Sequence, residues 1–285
     1  MRPNRQPGRK SLEELSLFDI PTGKGGDQVR IHPTAVVEKG AQLGKGVEVG
    51  PFCVVGPKVV LEDYVRLDSH VTVSNKTTIG TKSVVYQFST IGVYPQDLKF
   101  KGEDTELIIG PENSFRQYTN VSIGSEAGGG KTVIGRRNLF MVYTHVAHDC
   151  KVADNCIFAN GVSLAGHVEV QANAIIGGHA AVHQFCKVGF RSMTGGGSMV
   201  VQDVPPFTMV QGDRAKPIGL NVVGLKRAGL SNDDIKDIKA MYRLLYSENL
   251  TVEDALARME KELRPTEYLK IFSDFLKAAE RGVCR

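Results

Sequence analysis

Five of the seven histidines in this chain of 285 residues fall between His145 and His183, at positions 145, 148, 167, 179 and 183. Imidazole has an ordinary pKa of about 6.5, so a histidine can abstract a proton as a general base at neutral pH. General-base catalysis of that kind typically contributes about 10²–10⁴-fold. His148 is followed directly by Asp149 in the run Thr144-His145-Val146-Ala147-His148-Asp149-Cys150, where the carboxylate is placed to orient or tune the imidazole. The same residue types admit a second chemistry, because neutral imidazole is a common ligand of Zn²⁺. A lone surface histidine is usually idle. What sets this group apart is its density, and the spacing of all but His179, which lets neighbouring turns of a repeat bring them together.

The elements that position these histidines announce themselves by a six-residue register. Apolar residues recur at Ile31, Val37, Leu43, Val49, Val55 and Leu61, continue to Ile91, return at Ile109, Phe115 and Val121, and run again from Ile134 to Val188. Thr194 is the one lapse before Val200, and a small or β-branched residue follows four places later in the hexads (Ala35, Ala41, Val47, Cys53). No α-helix has this period. A strand–turn unit does, and hexapeptide repeats mark parallel β-helices. Coils then stack at roughly 4.7–4.9 Å. Each fully buried aliphatic side chain contributes about 1.5–3 kcal/mol, and a coil gains stability only from its neighbours. His145 and His148 lie off the apolar register, so they project away from the interior. An H-x-x-H spacing in such a solenoid is weak evidence for metal.

Two stretches break the register, near residues 93–107 (VYPQDLKFKGEDTEL) and 122–132 (SIGSEAGGGKT). A solenoid accommodates insertions by looping them outward, and such loops often carry binding surfaces. The segment Gly128-Gly129-Gly130-Lys131-Thr132 has the look of a phosphate-binding loop, but the motif needs a glycine where Ser125 stands, with a strand before and a helix after. Solenoid strands on both sides exclude it.

The repeat spans residues 31–214, and a small helical domain is expected over 215–285. Ser231 followed by Asn232, Asp233 and Asp234 is a helix start, with Ile235, Ile238, Met241, Leu244 and Leu245 at helical spacing. Thr251 and Asp254 form a second capping signal, and a third helix follows Pro265 with Tyr268, Phe272, Phe275 and Leu276 on one face. Residues 1–30 hold six Lys or Arg with no apolar run, which reads as a basic disordered extension without a secretory signal. No stretch is apolar enough to span a membrane. Cys53, Cys150, Cys156 and Cys186 occupy the small interior position of their hexads, so they read as packing residues in a reduced, cytoplasmic protein. The net charge of +4 is mild, and without a basic, aromatic or helix-turn-helix cluster nucleic acid is not an expected partner.

Six segments together, QDLKF (96–100), HVAHDC (145–150), LAGHV (164–168), GGHAAVHQFC (177–186), QDVPPF (202–207) and NVVGLKR (221–227), resemble the acyl-[acyl-carrier-protein]–UDP-N-acetylglucosamine O-acyltransferases of lipid A biosynthesis. The resemblance covers residues 31–285. It implies a left-handed parallel β-helix with a C-terminal helical domain, the exception to the usual right-handed crossover. It implies a homotrimer with sites in clefts between subunits, moving a 3-hydroxyacyl chain from acyl carrier protein to the glucosamine 3-hydroxyl of UDP-N-acetylglucosamine, with no cofactor or metal. By the same resemblance His148 is the general base, Asp149 its supporting acid and the Gly166 N–H the oxyanion donor. Asp97, Lys99, His145, His167, His183, Gln184, Asn221 and Arg227 match substrate contacts. Gly196 matches the position that sets acyl length, where a glycine leaves the groove open for a long chain unless Met193 or Met199 shortens it. The chain departs from the family's pattern where Ser122-Ile123-Gly124 replaces His-Arg-Gly, where Val223 replaces an acid and where Ala228 replaces a basic residue. These departures bear on the acceptor and keep a 3-amino sugar nucleotide, giving an amide, as an alternative.

Other classes fit less of the chain. A zinc lyase of the γ-carbonic anhydrase type does not account for QDLKF, the Gly196 region or the helical tail. The related N-acyltransferase of the same pathway carries a uridine-binding domain ahead of its solenoid, where only about thirty residues stand here. A non-enzymatic adhesin or ice-binding scaffold would show flat repetitive faces, which the histidines and loops interrupt.

Overall fold

The computed structural model describes residues 26–285, so most of the N-terminal extension expected over 1–30 lies outside the described residues. Hexads form two-residue strands separated by four-residue turns, such as Glu48–Val49, Val54–Val55 and Val60–Leu61. Strands pair in parallel with the third strand onward, Glu48 opposite Arg66 and Val49 opposite Leu67, so three hexads close one coil. The result is a left-handed triangular prism with three parallel faces. The first face starts at Arg30–Ile31, the second runs from Val36–Val37 to Met199–Val200, and the third from Gln42–Leu43 to Lys187–Val188.

In a two-residue strand the side chains alternate, one outward and one inward. The inward residue is the register residue: Val49, Leu67, Val85, Phe115, Phe140, Phe158 and Ile176 form one buried file. Phe115, Phe140 and Phe158 stack nearly parallel, with centroids 4.7 and 4.6 Å apart. Ile31, in the first coil, is exposed. All five cysteines are free and buried. Burial pushes the Cys150 and Cys156 thiols up to about 12 and Cys186 to about 11, so they are inert packing groups.

Many turns place their second residue in the left-handed region, which L side chains adopt rarely. Tyr64, Lys82, His167 and Asn173 have φ of 59°, 59°, 62° and 60°. The N–H of such a residue donates to the corner one coil earlier, as from Tyr64 to Lys45 or from His167 to His148. Corner side chains therefore stand over one another along three edges. Where the first face meets the second lie Phe52, His70, Phe88, Tyr118 and Tyr143, here termed the aromatic edge. Where the second meets the third lie Asp149, His167 and Phe185, the histidine edge. Where the third meets the first lie Lys82, Glu112, Arg137, Asn155, Asn173 and Arg191, the polar edge. Both insertions, residues 94–105 and 123–130, leave from the histidine edge.

After the solenoid, strands Thr208–Gln211 and Lys216–Leu220 form an antiparallel hairpin, turning at the segment where the sequence places the start of the helical part. Four helices follow: α1 (Val222–Arg227), α2 (Asn232–Tyr246), α3 (Val252–Glu262) and α4 (Glu267–Lys277). Ser231 and Asp234 form a complete capping box for α2, and Thr251 accepts from the Asp254 N–H to cap α3. The short α1 was not expected, because six residues carry too little periodicity to show a helix. On α4, Leu269 is buried with Phe272, Phe275 and Leu276, while Tyr268 only borders the cluster. Among the described residues no helix is long and apolar enough to cross a membrane.

Candidate active site

His148 and Asp149 are the two corner residues of one turn on the histidine edge, with Asp149 at φ 60°. The Asp149 carboxylate is almost wholly buried, where unmet hydrogen-bonding capacity is costly. Three donors meet it. The Ser125 N–H donates to Oδ1 at 2.8 Å and the Ser125 hydroxyl to Oδ2 at 2.6 Å. His148 Nδ1 lies 2.7 Å from Oδ2. A carboxylate oxygen only accepts, so Nδ1 carries the hydrogen and the lone pair sits on Nε2. The Asp149 N–H donates to Thr132 Oγ1 at 2.8 Å. Ser125, within the second insertion, and Thr132, on the strand that follows it, thus hold Asp149.

Two glycines permit this packing. A Cβ at Gly128 would fall 2.0 Å from Asp149 Cγ, and one at Gly166 would fall 2.6 Å from His148 Cε1. One coil onward, the His167 ring meets His148 edge-on at 5.1 Å and stacks on Phe185 at 4.4 Å. His145 faces out from the second face beside this corner, its Nδ1 2.7 Å from Asn120 Oδ1. Burial holds the His145 imidazole below its ordinary pKa, and repulsion from His148 adds to this. Burial also lowers His167, with the Asp149 carboxylate opposing and His148 reinforcing the shift.

The first insertion approaches from the other side. Asp97 Oδ2 is 4.0 Å from His148 Nε2, and Asp97 Oδ1 accepts from the Lys99 N–H at 3.0 Å, leaving the Lys99 side chain exposed. His183 and Gln184 are exposed at the next coil, with Arg281 Nη2 3.4 Å from His183 Nδ1. Among the described residues the Gly166 N–H donates to no backbone carbonyl.

The remaining expected residues lie elsewhere. Gly196 sits on the aromatic edge, where an added Cβ would touch Gly178 O at 3.3 Å and otherwise meet open space. Asn221 and Arg227 border the first face near the polar edge, around a cleft of about 190 Å³ shared with Arg137, Asn155, Asn173 and Arg191. The Asn221 side chain caps α1 by accepting from the Gly224 N–H, and it donates to Arg191 O. His179, set apart by its spacing, lies on the aromatic edge against Gly161. Ser122 and Ile123 are buried and present no side chain to the histidine edge.

Sequence reading missed Ser125, Thr132, Gly128 and Phe185. Ser125 figured there only as the residue that spoils a phosphate loop. The polar-edge residues did carry a signal: Arg137, Asn155, Asn173 and Arg191 recur at one hexad position, coil after coil. His148, Asp149 and His167 offer ligand atoms within 4.8 Å of one another and could hold a metal ion. Both Asp149 oxygens, however, already accept hydrogen bonds and one of them orients His148, an arrangement that suits a base and its orienting acid.

A family model described as UDP N-acetylglucosamine O-acyltransferase, domain 2, matches residues 203–284, and one described as bacterial transferase hexapeptide (six repeats) matches residues 131–166. The chain is 49% identical over 253 residues to the acyl-[acyl-carrier-protein]–UDP-N-acetylglucosamine O-acyltransferase of Aliarcobacter butzleri, covering 89% of this chain and 97% of that protein. It is 50% identical over 255 residues to the enzyme of the same name from Thiobacillus denitrificans, covering 90% and 99%. Among solved structures, LpxA from Acinetobacter baumannii superposes with a TM-score of 0.88 at 39% identity, covering 90% of this chain and 99% of that one.

Proposed function

The chain belongs to the acyl-[acyl-carrier-protein]–UDP-N-acetylglucosamine O-acyltransferases, and on that premise we propose that His148 is the general base of the transfer. The observation that carries this reading is the tie between His148 Nδ1 and the buried Asp149, which leaves Nε2 as the free base on the edge where both insertions converge. His148 Nε2 takes the proton of the glucosamine 3-hydroxyl of UDP-N-acetylglucosamine. The oxygen attacks the thioester carbonyl of 3-hydroxyacyl–acyl carrier protein, and the Gly166 N–H donates to the oxyanion as charge develops. Collapse expels the thiolate, which regains a proton from the His148 imidazolium. The product enters lipid A assembly at its first step. Holding both substrates in one cleft supplies proximity, and the cycle as written uses no metal and no covalent enzyme intermediate. In this reading the reaction runs in the cytoplasm.

In this reading Asp97, Lys99, His145, His167, His183 and Gln184 hold the sugar and diphosphate, Arg227 and Asn221 serve the nucleotide, and Gly196 leaves room for a long acyl chain. One prism cannot gather these residues, since the cleft beside Arg227 borders the polar edge and His148 stands on the histidine edge. A homotrimer in which a neighbour supplies Asn221 and Arg227 reconciles them.

The test is transfer by His148→Ala, with products read by mass spectrometry. Loss of about 10²–10⁴-fold is expected, and near-normal turnover overturns the assignment. One observation favours a second acceptor: the buried Ser122 and Ile123 supply no polar side chain to the acceptor's surroundings. Competition between 3-hydroxyl and 3-amino sugar nucleotides decides it, an ester product supporting the first reading and an amide the second. Stoichiometric zinc lost with His145→Ala would instead support a metal lyase.

A further inference from the structure

Arg281 has no role in the chemistry above, yet its guanidinium stands on the histidine edge. After α4 the chain leaves the helical domain and returns to the last coil of the solenoid. The regular strands of the third face end at Lys187–Val188, and two parallel bridges extend that face further, Val188 with Val204 and Asp203 with Val283. The returning segment, here the strap, is tied on both sides of its bridge. The Asp203 N–H donates to Gly282 O at 2.8 Å, and the Cys284 N–H donates to Asp203 O at 2.9 Å. Asp203 is buried and turns both carboxylate oxygens to main-chain donors, Oδ1 to the Lys187 N–H at 2.7 Å and Oδ2 to the Arg281 N–H at 3.3 Å. Lys187 Nζ donates to Ala278 O at 2.6 Å at the root of the strap. A backbone paired at each of these points fixes where the Arg281 side chain leaves it.

That side chain is exposed. Its guanidinium has Nη2 3.4 Å from His183 Nδ1 and reaches the Cys186 thiol, neither of which carries a negative charge. His183 Nδ1 is also 3.1 Å from Gln184 O, and one ring nitrogen cannot donate to that carbonyl and accept from Arg281 at once. Among the described residues Arg281 forms no ion pair, so a fork of five donors stands at the edge without an anion. The Phe185 N–H donates to Gly166 O and the His167 N–H to His148 O, so the His183–Gln184 corner lies two coils beyond His148. At strand spacing that is roughly 9–10 Å. Both substrates carry phosphate set back from their reacting atoms. In the acceptor it is a diphosphate beyond the sugar ring, and in the donor a phosphodiester at the far end of the pantetheine arm. Arg is the side chain whose planar fork matches phosphate oxygens. We propose that Arg281, held on the histidine edge by the C-terminal strap, binds the phosphate of a substrate whose reacting group lies at His148. The inference rests on the reading that places the reacting atoms at His148.

The test compares the full chain with Arg281→Gln, which removes the charge and leaves the main-chain ties of the strap in place. KM for one phosphate-bearing substrate should rise about tenfold or more with kcat within about threefold, as expected when a charge-assisted bond present in both ground and transition states is lost. Arg281→Lys, which keeps the charge as a point, should recover part of that loss. Two arms separate the sources of phosphate. If it is the acceptor's, KM for UDP-N-acetylglucosamine rises and KM for the donor does not. If it is the donor's, the rise appears with an acyl-phosphopantetheine thioester and vanishes with the acyl-pantetheine thioester, which lacks the phosphate. Either result supports the assignment. Both KM values within about twofold of the parent's, or a loss confined to kcat, overturn it. A second measurement needs no variant: phenylglyoxal labelling of Arg281 in the unaltered protein, read by peptide mass spectrometry, should be suppressed by saturating UDP-N-acetylglucosamine or phosphopantetheine. Labelling unchanged by both overturns the proposal. His148→Ala run alongside keeps the two readings apart. Lost activity there with an unmoved Arg281→Gln overturns this inference alone, whereas near-normal activity there overturns the placement on which it rests.

Discussion

The aromatic and histidine edges are built on the same corner: a left-handed residue near φ 60°, held to the coil before it by its own N–H. On one edge that corner carries Phe52, Phe88, Tyr118 and Tyr143, whose rings satisfy one another. On the other it carries Asp149, His167 and Phe185, and the stack is broken by two insertions that bring polar groups to it. The difference teaches that the repeat supplies position and the insertions supply chemistry. The insertions leave the aromatic edge intact, since Tyr118 stacks on Phe88 and Tyr143 on Tyr118 across the extra residues of both loops.

Several substitutions can break or sharpen this contrast. The largest effect is expected for His148→Ala, about 10²–10⁴-fold in kcat with unchanged circular dichroism, whereas Tyr143→Phe on the other edge should leave kcat within about twofold, in line with surface changes worth under about 0.5 kcal/mol. Next comes Gly128→Ala. Its Cβ would land on the Asp149 carboxylate, and a displaced orienting group should cost about 10²-fold in kcat. Ser125→Ala removes one of the donors to that carboxylate. Hydrogen bonds to charged groups are worth about 1.5–3 kcal/mol, so a loss of at least about tenfold in kcat is expected, with KM little changed. Ser125→Thr should restore it, and a flat response to Ser125→Ala would separate the insertion from the chemistry.

The smallest effect is on stability. His145 and His167 titrate below their unfolded value of about 6.5. As pH falls through that value the unfolded chain takes up protons first, so the stability these groups contribute is present above it and is lost down through their depressed native values. Tm should fall on acidification, and the variant His145→Asn/His167→Asn should show a shallower fall by calorimetry.

Much of this molecule is legible in its sequence because period and burial coincide. Val49, Leu67 and Phe115 repeat every sixth position and are the residues found inside. The caps Ser231 and Thr251 also read directly, since each acts on a residue three places away. His148 and Asp149 were visible as neighbours. The grip of Ser125 on Asp149 was not, because it spans 24 residues and depends on a loop returning to its own edge. Nor was the need for glycine at 128 and 166, which comes from side chains approaching across coils. The separation of Arg227 from His148 was equally hidden, since hexads alone do not say which face a tail returns to.

The hairpin that ends the solenoid has a consequence for growth. Coils that add in parallel are a template on which another chain's strands can polymerise. Here the last strand, Lys216–Leu220, runs antiparallel to the one before it and contains Pro217, which has no N–H to offer. On the first face the reversal removes the parallel template, and Pro217 and Lys216 blunt what remains, so that face is protected against end-to-end strand addition.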